Sequence, residues 1–250
     1  MLEAGLWGLV GGSALILGAV LAWFLDLPKR LIAGVMAAGS GVLISAVAFD
    51  LMDEAFAQGG LAAAGGGFLA GALAYTLANI AVSRAGARHR KRSGFNPEES
   101  QAAATANGGL AIAIGALLDG VPESVVIGVS LLDGTGVSLV TVAAVFLSNL
   151  PEGLSSVAGM KRAGRSAGYV FGVWGAIALA SGAAAMLGHG ALAHAPPEAI
   201  AAVTALAAGA ILAMLVDTMI PEATEEAHEA SGLIAVAGFL VAFLLSKLAG

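Results

Sequence analysis

Two short stretches place carboxylates beside proline in otherwise apolar surroundings. One reads Leu117-Leu118-Asp119-Gly120-Val121-Pro122-Glu123-Ser124, and the other Phe146-Leu147-Ser148-Asn149-Leu150-Pro151-Glu152-Gly153. In each, a polar residue stands four positions before a glutamate and proline immediately precedes that glutamate. Residues at i and i+4 share one helix face. Helical geometry therefore points Asp119 with Glu123, and Ser148 with Glu152, in common directions, with Asn149 beside the second pair. Proline has no N–H to give, so the carbonyl four residues earlier loses its helical partner; these are the carbonyls of Leu118 and Leu147. Carboxylates, a side-chain amide, a hydroxyl and freed carbonyls are all oxygen donors, the set that suits a hard or borderline cation.

The elements that must carry these residues follow from composition. The chain has 250 residues, 58% hydrophobic and 11% charged, where a soluble domain carries about 25% charged residues. Too few charges remain to cover a soluble surface, so lipid is the expected solvent for most of the exterior. A spanning helix needs about 20 apolar residues. Such segments fall near Ala4–Leu25, Leu31–Met52, Leu61–Ser83, Gly108–Leu132, Gly136–Ala158, Ala167–Gly188, Ala199–Ile220 and Gly232–Leu248. They are continuously apolar rather than alternating, which predicts helices and not a barrel. The expected fold is an all-α membrane protein: eight transmembrane helices in a bundle, forming one polytopic domain over residues 1–250. The 36 glycines suit close helix contact, Gly65-Gly66-Gly67 with Gly71 being one example. The first segment does not read as a signal peptide, because its start lacks positive charge and Lys29 and Arg30 follow it.

Connections are short except for a polar linker, residues 84–107, expected to be a flexible cytoplasmic loop. Ten of the eleven Lys and Arg lie after the first, third and fifth segments: Lys29 and Arg30; Arg84, Arg88, Arg90, Lys91 and Arg92; Lys161, Arg162 and Arg165. Basic loops mark the cytoplasmic side, so both termini are expected outside. The bacterial plasma (inner) membrane is the expected location. With no cysteine, disulfides, thiolate metal sites and cysteine nucleophiles are excluded. No stretch reads as a nucleic-acid-binding domain.

Burial makes the carboxylates informative. An Asp at a helix centre costs about 2.5–3.5 kcal/mol on insertion scales, so Asp119, Glu123 and Glu152 together cost on the order of 8–10 kcal/mol. Protonation or a bound dication offsets that cost. The plainer reading is protonated acids that only hold helices together, and the matching Pro-Glu segments weigh against it. Asp50, Asp53 and Glu54 end the second segment and are entrance candidates for cations, or an ordinary solvated helix end. Asp217, Glu222 and His228, in an acidic run with Glu225, Glu226 and Glu229, are exit candidates, or a solvated loop. His189 and His194 read as surface residues.

These residues resemble a known family. Val121-Pro122-Glu123 and Asn149-Leu150-Pro151-Glu152-Gly153 are similar to the paired signatures of the ZIP family, the zinc- and iron-regulated-transporter-like proteins. Support comes from Ala208-Gly209-Ala210, Val216-Asp217 and Ile220-Pro221-Glu222-Ala223, and from Gly41-Val42 with Asp50-Leu51-Met52-Asp53-Glu54-Ala55. The resemblance covers nearly the whole chain and extends to the expected topology. It implies a transporter moving zinc, iron or manganese into the cytoplasm, the metal being cargo and not a cofactor. It also implies that Asp119 stands for a histidine ligand, while Glu123, Asn149 and Glu152 match their counterparts and Ser148 adjoins them. The chain departs from the pattern at Gly120, Ser148 and Leu43. It also lacks an acid over Tyr169–Gly188 and a histidine-rich loop, so one all-oxygen site is expected. Membrane lipid is a further expected partner, and a homodimer is compatible with the reading. The same carboxylates could serve an intramembrane metal-dependent hydrolase, but no nucleophile–base pair and no His-Glu-x-x-His is present, so the chain does not read as an enzyme. A divergent relative that moves protons or another solute, or only senses metal, is the other alternative.

Overall fold

A computed structural model describes residues 1–84, 106–132, 134, 136–162 and 164–249; of residues 106–114, 226, 228 and 249 it describes the backbone alone. Among the described residues the secondary structure is all helical. The helices are α1 Leu2–Phe24, α2 Lys29–Ala46, α3 Met52–Val82, α4 Ala106–Val129, α5 Leu139–Arg162, α6 Ala167–Leu192, α7 Pro197–Met214, α8 Ile220–Ala227 and α9 Ser231–Ala249. Six helical stretches among them are long and apolar enough to cross a membrane: Leu2–Phe24, Lys29–Val82, Leu139–Arg162, Ala167–Leu192, Pro197–Glu225 and Ser231–Leu248. Backbone groups in lipid must be satisfied within the segment, and Ala-, Leu- and Gly-rich sequence does that without side-chain competition. The chain is an integral membrane protein.

Two joints differ from what the sequence led us to expect. Neither the second nor the seventh apolar segment ends where its acidic residues begin. Each passes through one π-helical turn, Val47–Leu51 and Leu215–Met219, and continues as helix. Asp50 lies in the first π turn and Asp217 in the second. Asp53 and Glu54, expected at a helix end, sit in the first turn of α3. Gln58 Nε2 donates to Glu54 Oε1 at 3.1 Å, an i, i+4 bond that favours helix here.

The stretch Lys29–Val82 has 54 residues. As one straight helix it would extend about 81 Å, more than twice a hydrocarbon core of about 30 Å. It is broken at Gly60, whose φ of 68° and ψ of −175° are non-helical, a backbone region essentially reserved for glycine. A Cβ there would meet nothing within 4 Å, so the cost of a side chain is purely conformational. Gly60→Ala is expected to lower stability by about 1–2 kcal/mol, read as an earlier thermal unfolding transition of the detergent-solubilised protein.

Packing partners sort the helices into two sets. In the first, α1 packs against α5 and α6, and α4 against α6; in the second, α3 packs against α7, and α2 against α9 and α8. The sets meet mainly where α2 crosses α5 and α4 crosses α7. The expected glycine contact in α3 is divided. Gly67 and Gly71 lie on the Ala202 and Leu206 carbonyls of α7, whereas Gly65 and Gly66 face open space. The linker expected to be flexible falls mostly on residues 85–105, outside the described residues, and α4 already begins at Ala106.

Candidate metal site

The two Pro-Glu segments lie within α4 and α5, and both helices run unbroken through Pro122 and Pro151. Asp119 and Glu123 are each 2% exposed, Ser148 and Asn149 2%, and Glu152 4%. All five candidate ligands are therefore inside the protein, not turned to lipid. The close approach of α1 to α5 fixes the Pro-Glu-Gly turn. A Cβ on Gly153 would collide with the Leu15 carbonyl of α1, and one on Gly18 with the Leu150 carbonyl of α5. On another side, Gly39 of α2 faces the Leu147 carbonyl, the one that Pro151 frees, with Leu147 O and Pro151 Cγ each 3.3 Å from where its Cβ would be.

Each polar side chain has a definite neighbour. Ser148 Oγ lies 3.3 Å from Glu123 Oε1 and 2.9 Å from the Val145 carbonyl. Its single proton serves one of these acceptors at a time. This contact joins α4 to α5. Asn149 Nδ2 donates to the Gly11 carbonyl of α1 at 3.1 Å. A carbonyl can only accept, so this bond decides which end of the amide is nitrogen. Asn149 Oδ1 is consequently turned away from Gly11, and it is buried with no hydrogen-bond partner. An unmet buried acceptor costs about 1–3 kcal/mol. Asn149 and Glu152, at i and i+3, share a face of α5.

Asp119 reaches a residue the sequence reading did not single out. Tyr75 Oη of α3, itself 2% exposed, donates to Asp119 Oδ1 at 2.9 Å. The signal was available: a phenol inside an apolar span must find a partner for its O–H. Ser155 of α5 was also passed over. It is fully buried and donates to Glu222 Oε1 of α8 in a short contact. The bonds from Tyr75 and Ser155 both cross between the two helix sets.

The flanking candidates are less unified than expected. Asp50 accepts from Ser246 Oγ of α9 at 2.6 Å, Glu54 bonds along its own helix, and Asp53 is exposed. Beside Asp50, Lys247 Nζ lies 5.9 Å from the centre of the Phe49 ring and 5.8 Å from that of Phe243. Asp217 is exposed and accepts from Asn79 Nδ2 of α3 at 3.2 Å, whereas Glu222 is buried against α5. The two therefore face different helices. The side chain of His228 lies outside the described residues. His194 is exposed, as expected, but His189 is partly buried, its Nδ1 3.2 Å from the Gly128 carbonyl of α4.

Among the described residues, no three His, Cys, Asp or Glu side chains are grouped closely enough to hold one ion. The acids are distributed: Asp119 toward α3, Glu123 toward Ser148, Glu152 on the Asn149 face. A cation held here would need neutral oxygens to complete its shell, and Asn149 Oδ1, Ser148 Oγ and the proline-freed carbonyls are of that kind. The chain matches no protein-family model, and no curated protein aligns with it significantly.

Proposed function

We propose that the protein is a divalent metal-ion transporter that carries zinc, manganese or iron into the cytoplasm through the α4–α5 site. Asp119, Glu123, Asn149 and Glu152 hold the ion in transit, with Ser148 alongside. In this reading the chain crosses the bilayer eight times, with the basic loops inside and both termini outside. The setting is a bacterial plasma membrane. The metal is the transported substrate, and the chain is not an enzyme.

One observation carries the reading. Asn149 Oδ1 is a buried acceptor with no hydrogen-bond partner, oriented by the Gly11 carbonyl, on the helix face that also bears the buried Glu152. A cation would give Asn149 Oδ1 the partner it lacks while lying on the face that bears the Glu152 carboxylate. The resemblance of the Asn-Leu-Pro-Glu-Gly segment to the ZIP signature supports the same conclusion. With no histidine among the ligands the site is harder than a usual zinc site, so manganese and iron are accepted beside zinc.

The test is binding and uptake by the purified protein reconstituted in vesicles. Zinc and manganese enter with saturation. Asn149→Ala weakens apparent metal affinity about tenfold, the size expected for one lost contact to a charged group. If no divalent ion binds anywhere between micromolar and millimolar concentration, the proposal fails.

A further inference from the structure

At the end of the molecule that carries the basic residues, the turn between α1 and α2 and the last turn of α5 enclose a pocket of about 260 Å³, room for roughly eight waters. Its walls include Leu27, Ile32 and Ala158, and its mouth carries Asp26, Lys161 and Arg162. Mostly apolar, with two basic residues and one acid among its lining, it matches neither a metal path nor a simple packing defect.

Aromatic residues lie near its basic end. Trp23 packs edge-on against Phe171, with ring centres 6.0 Å apart, and Arg165 stacks 4.9 Å over the Tyr169 ring. Tryptophan and tyrosine collect at the level of lipid headgroups. Lys161 Nζ is bonded to the carbonyl of that same Trp23 at 2.9 Å and to Asp26 Oδ1 at 3.0 Å, which ties the ammonium to a residue type that favours headgroup depth. Lys29 and Arg30, which open α2, lie just before Ile32 in the wall.

We propose that this pocket binds the phosphate of an anionic phospholipid headgroup, with the apolar wall taking the start of the acyl chains. An ammonium has three N–H donors, and the two bonds above leave one for a phosphate oxygen, beside the guanidinium of Arg162. Asp26 is 96% exposed, and an exposed ion pair of this kind holds weakly. Phosphate, a stronger acceptor for charge-assisted bonds, displaces it. A free phosphate ion offers the same oxygens but makes no use of the apolar wall, which favours the lipid. Basic pockets between transmembrane helices are a recurring way to hold anionic headgroups.

The experiment uses the full chain, stripped of lipid in a neutral detergent. It is titrated separately with phosphatidylglycerol, phosphatidylcholine and inorganic phosphate, and retained lipid is counted by native mass spectrometry. One phosphatidylglycerol per chain is expected, retained at least tenfold more tightly than phosphatidylcholine, with inorganic phosphate failing to displace it. Each charge removed in K161Q/R162Q weakens retention about fivefold. D26N, which removes the competing carboxylate, strengthens it. Equal retention of the two lipids, or undiminished retention in K161Q/R162Q, overturns the proposal. Displacement by inorganic phosphate at matched concentration also overturns it, in favour of a soluble anion. D26N keeps the test decisive if the double variant does not fold, since unchanged or weaker retention in D26N contradicts the proposal by itself.

Discussion

Replacing Glu152 by alanine is expected to reduce divalent-metal uptake by about a hundredfold or more, with the variant still present in the membrane at normal amounts. Glu152 is 4% exposed on α5, one helical turn from Asn149 Oδ1, which has no hydrogen-bond partner. Removing a carboxylate that neutralises a buried dication leaves the ion's charge uncompensated, which costs about 3–5 kcal/mol for buried pairs. At 1.4 kcal/mol per factor of ten, about 3 kcal/mol already exceeds a hundredfold. Glu152→Gln separates charge from shape. If the acid is a metal ligand, the amide variant loses uptake almost as fully, but its metal-free form unfolds at a higher temperature, because a buried charge has been removed. If the acid is instead protonated and only bridges helices, Gln preserves both uptake and unfolding. Measured uptake in Glu152→Ala equal to that of the wild type would remove Glu152 from the site.

Gly153→Ala is expected to be strongly damaging, lowering stability by about 3 kcal/mol, the upper part of the range for overpacking. The added Cβ would collide with the Leu15 carbonyl. That atom belongs to the backbone of α1 and has no rotamer by which to move aside. The only relief is to separate α1 from α5, which also withdraws the Gly11 carbonyl from Asn149. Gly65→Ala and Gly66→Ala supply the control, since a Cβ at either position meets nothing within 4 Å; both should unfold as the wild type does, or slightly later because alanine is the better helix former. Thermal unfolding of the three variants in one detergent decides the matter. Equal transitions in all three would mean that α1 and α5 do not rely on this contact.

Properties set by local composition were legible in the sequence; those set by pairing across the bundle were not. Apolar runs such as Ala167–Gly188 announce their helix because every backbone group must bond within it. Burial of Asp119, Glu123 and Glu152 also follows from position in such runs. Tyr75 was not identified as the partner of Asp119, since 44 residues separate them and nothing local links α3 to α4. The divergence of Asp217 from Glu222 was hidden for another reason. They were grouped as one acidic run without regard to helix phase, although five positions at about 100° each set two residues about 140° apart on a regular helix. His189 read as a loop residue because the apolar run ends near it, whereas α6 continues to Leu192 and carries its ring to Gly128. The acids at Asp53 and Glu54 were expected to end a helix; in the structure the chain turns at Gly60, where the backbone, not the charge, permits it.

The two π turns have a consequence for how this chain tolerates changes in length. A π turn holds one residue more than the α-helix around it, so it stores a one-residue offset in register. Loss of a single residue from Leu215–Met219 would let the turn relax to α-helix, leaving a continuous span with Glu222 still directed at Ser155. The same loss from the regular helix on either side would instead rotate what lies beyond it by about 100° and swing Glu222 off Ser155. Val47–Leu51 can likewise give up one residue without turning Glu54 against α2. These two turns are thus where the spans can absorb a change in length that the helix around them cannot.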